Sequence, residues 1–213
     1  MGRAKIKRGS TNIDMTAMCD VAFLLLSFFI LTTQFKPAEA KEVSTPTSVS
    51  TETAALENAF TVYLDKEGKT YAVMSDDMKE DVLGNVANMR NINFTPDDIK
   101  AFKASAFVGT PLAQLNQFDK MSSQDQSKVA VPGIPTDSAN NELQVWISAA
   151  IKSNQGKKVN FLIKGDEKAS YPSFKQIIES FKKNDIYKYK LITNPEGVPE
   201  GTALFDNFRK GIK

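Results

Sequence analysis

The stretch Thr16–Phe35, TAMCDVAFLLLSFFILTTQF, constrains this chain more than any other. From Val21 to Leu31 only Ser27 interrupts the apolar run. Counted from Met15, the span covers about 20 residues, or roughly 30 Å of helix at ~1.5 Å per residue, which matches a bilayer's hydrocarbon core. The expectation is one N-terminal transmembrane helix over residues 15–35 carrying a single charge, Asp20. An acid inside such a span is costly and marks ion or proton pathways.

Arg3, Lys5, Lys7 and Arg8 precede the span, and the excess of basic residues there places residues 1–14 in the cytoplasm and the bulk of the chain on the far side. A second reading competes: a secretory signal peptide with a basic start, about 11 apolar residues and Ala38-Glu39-Ala40 as the cleavage site. Against cleavage stand Asp20 at the entrance of the apolar run and the polar exit Thr32-Thr33-Gln34. Asp20 likewise has two readings. Either the helix starts later and the acid lies in the headgroup layer, or it is buried against a partner and alternates between protonated and ionised forms. A lone helix has no water-lined path, so the second reading requires other helices around it.

Residues 36–58 are rich in Ser, Thr, Ala, Glu and Pro and read as a flexible linker. Val43 with Pro46 offers a short edge strand as the alternative to a featureless tether. Structure resumes at Phe60. Phe60, Val62 and Leu64 alternate, Asp65-Lys66-Glu67-Gly68 supplies turn chemistry, and Tyr71 and Val73 alternate again, which together predict a β-hairpin. Residues 78–138 read as an elaboration on a smaller fold, with no site in it. Thr95-Pro96-Asp97-Asp98 is a helix start, Pro111 opens a helix through Leu112, Leu115 and Phe118, and residues 121–137 read as a loop.

The last third is clearer. Leu143, Trp146, Ile147, Ala150 and Ile151 form one apolar helix face, and Val159, Phe161 and Ile163 alternate as a strand. Phe174, Ile177, Ile178 and Phe181 give a second amphipathic helix, and Tyr187, Tyr189 and Leu191 a final strand. Strand, helix, strand with short connections implies a right-handed parallel crossover. The expected fold is α+β: a small mixed sheet over residues 59–194 with helices on one face, then a tail over 195–213.

Net charge is +2 and the lysines are scattered, which argues against nucleic acid. The chain has no histidine and one cysteine, Cys19, so no Ser-His-Asp or Cys-His pair and no ordinary zinc ligand set can be assembled. No enzyme, metal or cofactor is expected.

At Asn12 to Phe35, NIDMTAMCDVAFLLLSFFILTTQF, the chain resembles the ExbD/TolR family of proton-motive-force-coupled biopolymer transport proteins. The likeness continues at Lys157 to Thr193, which is similar to the family's strand, acidic turn, tyrosine, helix and final strand, with Asp166 and Tyr171 on that pattern. Phe60 to Met74 resembles its hairpin. Two departures stand out: Ala17 where the family often has proline, and Asn184-Asp185 where it often has Ala-Gly. The resemblance implies an ExbD-like subunit of an inner-membrane proton-channel complex, single-pass, with its C-terminal domain periplasmic. Asp20 would be the protonatable carboxylate, flanked in the motif by Asn12, Asp14 and Thr16. The implied partners are an ExbB/TolQ-like multi-helix membrane protein, a TonB/TolA-like transducer that drives outer-membrane transport, and a second copy of the chain. The alternative is a TolR-like or stator-like envelope-maintenance protein that binds peptidoglycan.

Overall fold

A computed structural model of the protein describes residues 15–32, 43–50, 52, 54–55, 57–121, 126, 129–137, 140–154, 158–202, 205–206 and 209–210. The chain divides into two units, Met1–Pro37 and Ala38–Lys213.

Helix α1 (Thr16–Thr32) is the described element of the first unit. Its apolar side chains are exposed, from 53% at Leu25 to 86% at Leu31. The hydroxyls of Ser27 and Thr32 donate back to the carbonyls of Leu24 (2.9 Å) and Phe28 (2.7 Å). At 17 residues the helix is about 25 Å long, short of the roughly 30 Å core of a bilayer. Among the described residues, no helix is long and apolar enough to cross a membrane. This overturns the expected transmembrane helix over 15–35, and with it the single-pass inner-membrane topology with a cytoplasmic N-terminus. The sequence reading counted polar flanks at both ends into a run whose apolar part is much shorter. The candidate cleavage site at 38–40 lies outside the described residues.

The second unit is an α+β fold. Strand β1 (Thr47–Ser48) is followed by the hairpin β2 (Ala59–Leu64) and β3 (Thr70–Met74). Their antiparallel register runs from Phe60↔Met74 to Leu64↔Thr70. The turn is closed by Gly68 N–H donating to the Asp65 carbonyl (3.0 Å) and Lys69 N–H to Asp65 Oδ1 (2.7 Å). It needs Gly68 at φ +82°, a conformation side chains disfavour.

Helix α2 (Asp76–Arg90) begins the region that composition left least readable. Two acids sit in its first turn, and Asn91, left-handed at φ 54°, ends it. Its buried face, Met78, Val82, Leu83 and Val86, is a helical stripe diluted by Gly84 and asparagines. Helix α3 (Pro96–Ala104) starts as expected. Thr95 Oγ1 accepts from Asp98 N–H (3.2 Å), while Asp98 Oδ2 accepts from Thr95 N–H (3.0 Å), a capping box with proline at the first position. A 3-10 turn, Leu112–Gln114, leads into the short α4 (Leu115–Asp119).

The regular part closes with α5 (Glu142–Ser153), β4 (Asn160–Gly165), α6 (Tyr171–Lys182), β5 (Lys190–Leu191) and β6 (Asn194–Pro195). The main sheet has the order β3-β2-β4-β5, with β2/β4 and β4/β5 parallel. The expected parallel crossover is therefore β4–α6–β5, although its last strand is only two residues long and Tyr187 stays exposed.

Phe60, Val62, Leu64, Ala72, Phe161 and Ile163 put one sheet face into the main core with α2, α5 and α6. Trp146 is fully buried there, stacked on Phe102 of α3 with ring centres 5.8 Å apart and planes at 8°. Helices α2, α5 and α6 cover that face, but the expected confinement of helices to one face does not hold, since α4 contributes Phe118 to the reverse side. Near β3 it carries Tyr71, Phe107, Phe118 and Val131, with Phe107 edge-on to both Tyr71 (5.8 Å) and Phe118 (5.4 Å). The stretch read as a loop supplies Val131 to this cluster and Ile134 to the main core. The insertion as a whole also shields the β3 edge. Ala72 and Val108 exchange two backbone bonds (2.9 and 2.8 Å), and Ile134 N–H donates to the Thr70 carbonyl at 2.7 Å.

Within the insertion lies a polar cluster. Lys79 Nζ reaches the carbonyls of Lys103 (3.0 Å) and Ser105 (2.8 Å) and the Asp76 carboxylate (2.8 Å). Gln126, wholly buried, accepts from Ala106 N–H (3.2 Å) and donates to the Phe118 carbonyl (3.2 Å). Asp119 is 5% exposed with Oδ1 unpartnered. Burial pushes its carboxyl up to about 7, helped by the Asp98 charge and opposed by the Ser105 hydroxyl and the Lys79 charge.

Two outcomes are expected. Trp146→Ala should destabilise the domain by about 3–5 kcal/mol in urea denaturation, because a large cavity replaces a stacked ring. The folded state holds the Asp119 proton up to about pH 7, whereas the unfolded chain releases it near pH 4. Stability should therefore fall as pH rises between those values, by up to about 1.4 kcal/mol per pH unit. Asp119→Asn should flatten that profile, read by denaturation midpoints across the pH range.

Candidate functional site

The residues singled out from sequence fall in separate places. Asn12 and Asp14 lie outside the described residues. Thr16 opens α1, and Asp20 follows one turn later with its side chain exposed. The reading of the chain as an inner-membrane proton-channel subunit built on Asp20 falls with the span on which it rested.

Asp166 and Tyr171 belong to the other unit. Asp166 sits in the turn that leaves β4, where its own N–H donates to the Leu64 carbonyl (2.9 Å). Its carboxylate accepts from Lys168 N–H at Oδ1 (2.9 Å) and from Ser44 N–H at Oδ2 (3.0 Å). The Lys168 amide first, then the Ser44 amide and the charges of Lys168 and Lys66, hold this carboxyl below the usual carboxylate range against the opposing effect of burial. Glu167 N–H returns a bond to the Ser44 carbonyl (2.9 Å). Asp166 is thus a clasp: a turn acid that ties down a segment 122 residues earlier. Tyr171, the first residue of α6, is 74% exposed and takes no part in the clasp.

The clasped segment lies within the stretch that composition reads as linker. Thr47–Ser48 pairs in parallel with Asn194–Pro195. Asn194 N–H donates to the Pro46 carbonyl (3.0 Å) and Asn194 Nδ2 to the Thr45 carbonyl (3.1 Å). Lys190 Nζ lies 3.1 Å from the Glu52 carboxylate. A groove of about 590 Å³ runs between this segment and Lys190–Thr193.

The sequence reading places no site in residues 78–138; two surface grooves lie there. The solvent side of α2 carries Glu80, Gly84 and Asn88 at successive turns. On one side of that row, against the end of α5, is a groove of about 650 Å³ reaching Asp81, Asn85 and Asn154. On the other is a groove of about 630 Å³ reaching Asn91, Asn93 and Phe94. Both are open; the first is lined largely by carboxamides and carboxylates, the second by asparagines together with apolar side chains such as Leu83, Ile92 and Phe94. The signal in the sequence was the run of asparagines, Asn85, Asn88, Asn91 and Asn93, around a mid-helix glycine. Among the described residues, no group of three or more His, Cys, Asp or Glu is placed to hold a metal ion.

Comparison with known proteins bears on what these surfaces serve. The chain is 37% identical over 73 residues to the "Biopolymer transport protein exbD2" of Vibrio cholerae serotype O1, over 31% of this chain and 54% of that protein. The chain therefore spans about half the length of that curated relative. No solved structure matches it. The family described as "Biopolymer transport protein ExbD/TolR" matches residues 7–196. That match takes in α1, the hairpin, the insertion with its grooves and the closing strands, and the chain belongs to the ExbD/TolR family of biopolymer transport proteins.

Proposed function

We propose that this chain is a TolR-like, stator-like envelope-maintenance protein whose folded domain grips peptidoglycan. The observation that carries the reading is the solvent face of α2, where open polar grooves of about 650 and 630 Å³ adjoin a helix whose opposite side is fully committed to the core. A surface that pairs carboxamides with scattered apolar side chains suits a hydrated polymer with both polar and apolar faces. The chain is not an enzyme: the ExbD/TolR family is non-catalytic. Family identity implies partners of the ExbB/TolQ and TonB/TolA types. A second copy of this chain, gripping the wall alongside the first, completes the proposed assembly.

The full chain, purified in a mild detergent that keeps the exposed α1 from aggregating, is expected to co-sediment with isolated cell-wall sacculi. Digesting the sacculi with a muramidase should release it to the supernatant. A chain that stays in solution at every sacculus concentration would remove this function.

A further inference from the structure

Gly84 stands in the interior of α2, where a glycine weakens a helix relative to alanine. Packing gives no reason for it. A Cβ built at Gly84 meets nothing within 4 Å, whereas at Gly109 it would come within 2.7 Å of the Phe107 ring. Nor does its backbone adopt a conformation that side chains avoid. What the missing side chain does is leave a notch in the row Glu80–Gly84–Asn88, the row that lines both grooves. Across Gly84 the two grooves share one floor along α2, whose 15 residues give roughly 22 Å of length. That is room for a polymer.

The lining says which polymer. Asn88 and Asn154 on one side and Asn91 and Asn93 on the other are carboxamides, each able to donate and accept. Hydroxyls and acetamido groups present paired donors and acceptors of this kind. Asp77, Glu80 and Asp81 outnumber Lys152 in the first groove, an acidic balance that disfavours phosphate and other dense polyanions. Phe94 adds an apolar surface at one end.

We propose that the α2 face centred on Gly84 binds the glycan strand of peptidoglycan, its amino sugars lying across the notch and their hydroxyl and acetamido groups bonded to the flanking asparagines. The proposal rests on the function put forward above and names the site and the part of the polymer that it takes.

The test uses the full chain and two probes, isolated sacculi and a soluble oligomer of N-acetylglucosamine. Gly84→Leu fills the notch with a side chain that cannot hydrogen-bond, and because its Cβ meets nothing the variant should fold with an unfolding midpoint no lower than the parent's. It should lose about tenfold or more in affinity for both probes, and Asn88→Ala several-fold, consistent with the removal of a few polar contacts. Parent and Gly84→Leu binding sacculi equally would overturn the site while leaving peptidoglycan binding intact. A parent that binds the soluble oligomer through Gly84 but ignores sacculi would uphold the site and remove the envelope function. A parent that binds sacculi but not the oligomer would overturn the assignment to the glycan and point to the peptide part of the polymer.

Discussion

The parallel pairing of β2 with β4 holds this domain together. Six residues from Ala59 to Leu64 run in register with Asn160 to Gly165, joining stretches about a hundred residues apart. Every other feature hangs from that seam. The hairpin strand β3 lies on one side of it and the crossover strand β5 on the other. Side chains from both paired strands, Phe60 and Val62 with Phe161 and Ile163, supply the floor against which the helices pack. Phe161 also links the sheet to α6 through the Phe181 ring at 5.6 Å. Closing so long a loop is entropically unfavourable, so the seam must form together with the apolar burial that rewards it.

The long stretch between β3 and α5 is more than an appendage. It finishes the β3 edge, which would otherwise present unpaired backbone groups, and it covers the reverse face with an aromatic cluster. It also brings α2 and α5 side by side, and that juxtaposition creates the larger groove. Asn85 Nδ2 donates to the Ala149 carbonyl at 3.2 Å, fixing one helix to the other at the groove wall. A polar cluster with Lys79, Asp119 and Gln126 ties parts of the insertion to one another.

Two carboxylates with opposite environments divide the structural work. Asp166 stays ionised at a turn, surrounded by amide donors and lysines, and pins the N-terminal segment to the sheet end. Asp119 is shut away from water and holds its proton to near neutrality. The difference lies in what each faces rather than in the residue type.

Local periodicity determined much of this protein. The alternation around Phe60 and Tyr71 marked the hairpin, the i, i+3, i+4 pattern from Leu143 to Ile151 marked α5, and Thr95 to Asp98 marked a helix start down to its capping box. Each is written within a few residues, so it is legible without the rest of the chain. Helix α2 was missed although its buried positions are periodic, because Gly84 and the asparagines lower its local helix preference and only the sheet's apolar face compensates. The apolarity of residues 16–35 was plain, but where α1 begins and ends depends on backbone bonding that hydropathy does not report. Tertiary structure alone decided that Ser44 meets Asp166, that Thr47 pairs with Asn194, and that Asn88 and Asn154 share a groove. Those contacts join residues far apart in sequence, and no residue pattern within one segment encodes the partner that folding brings beside it.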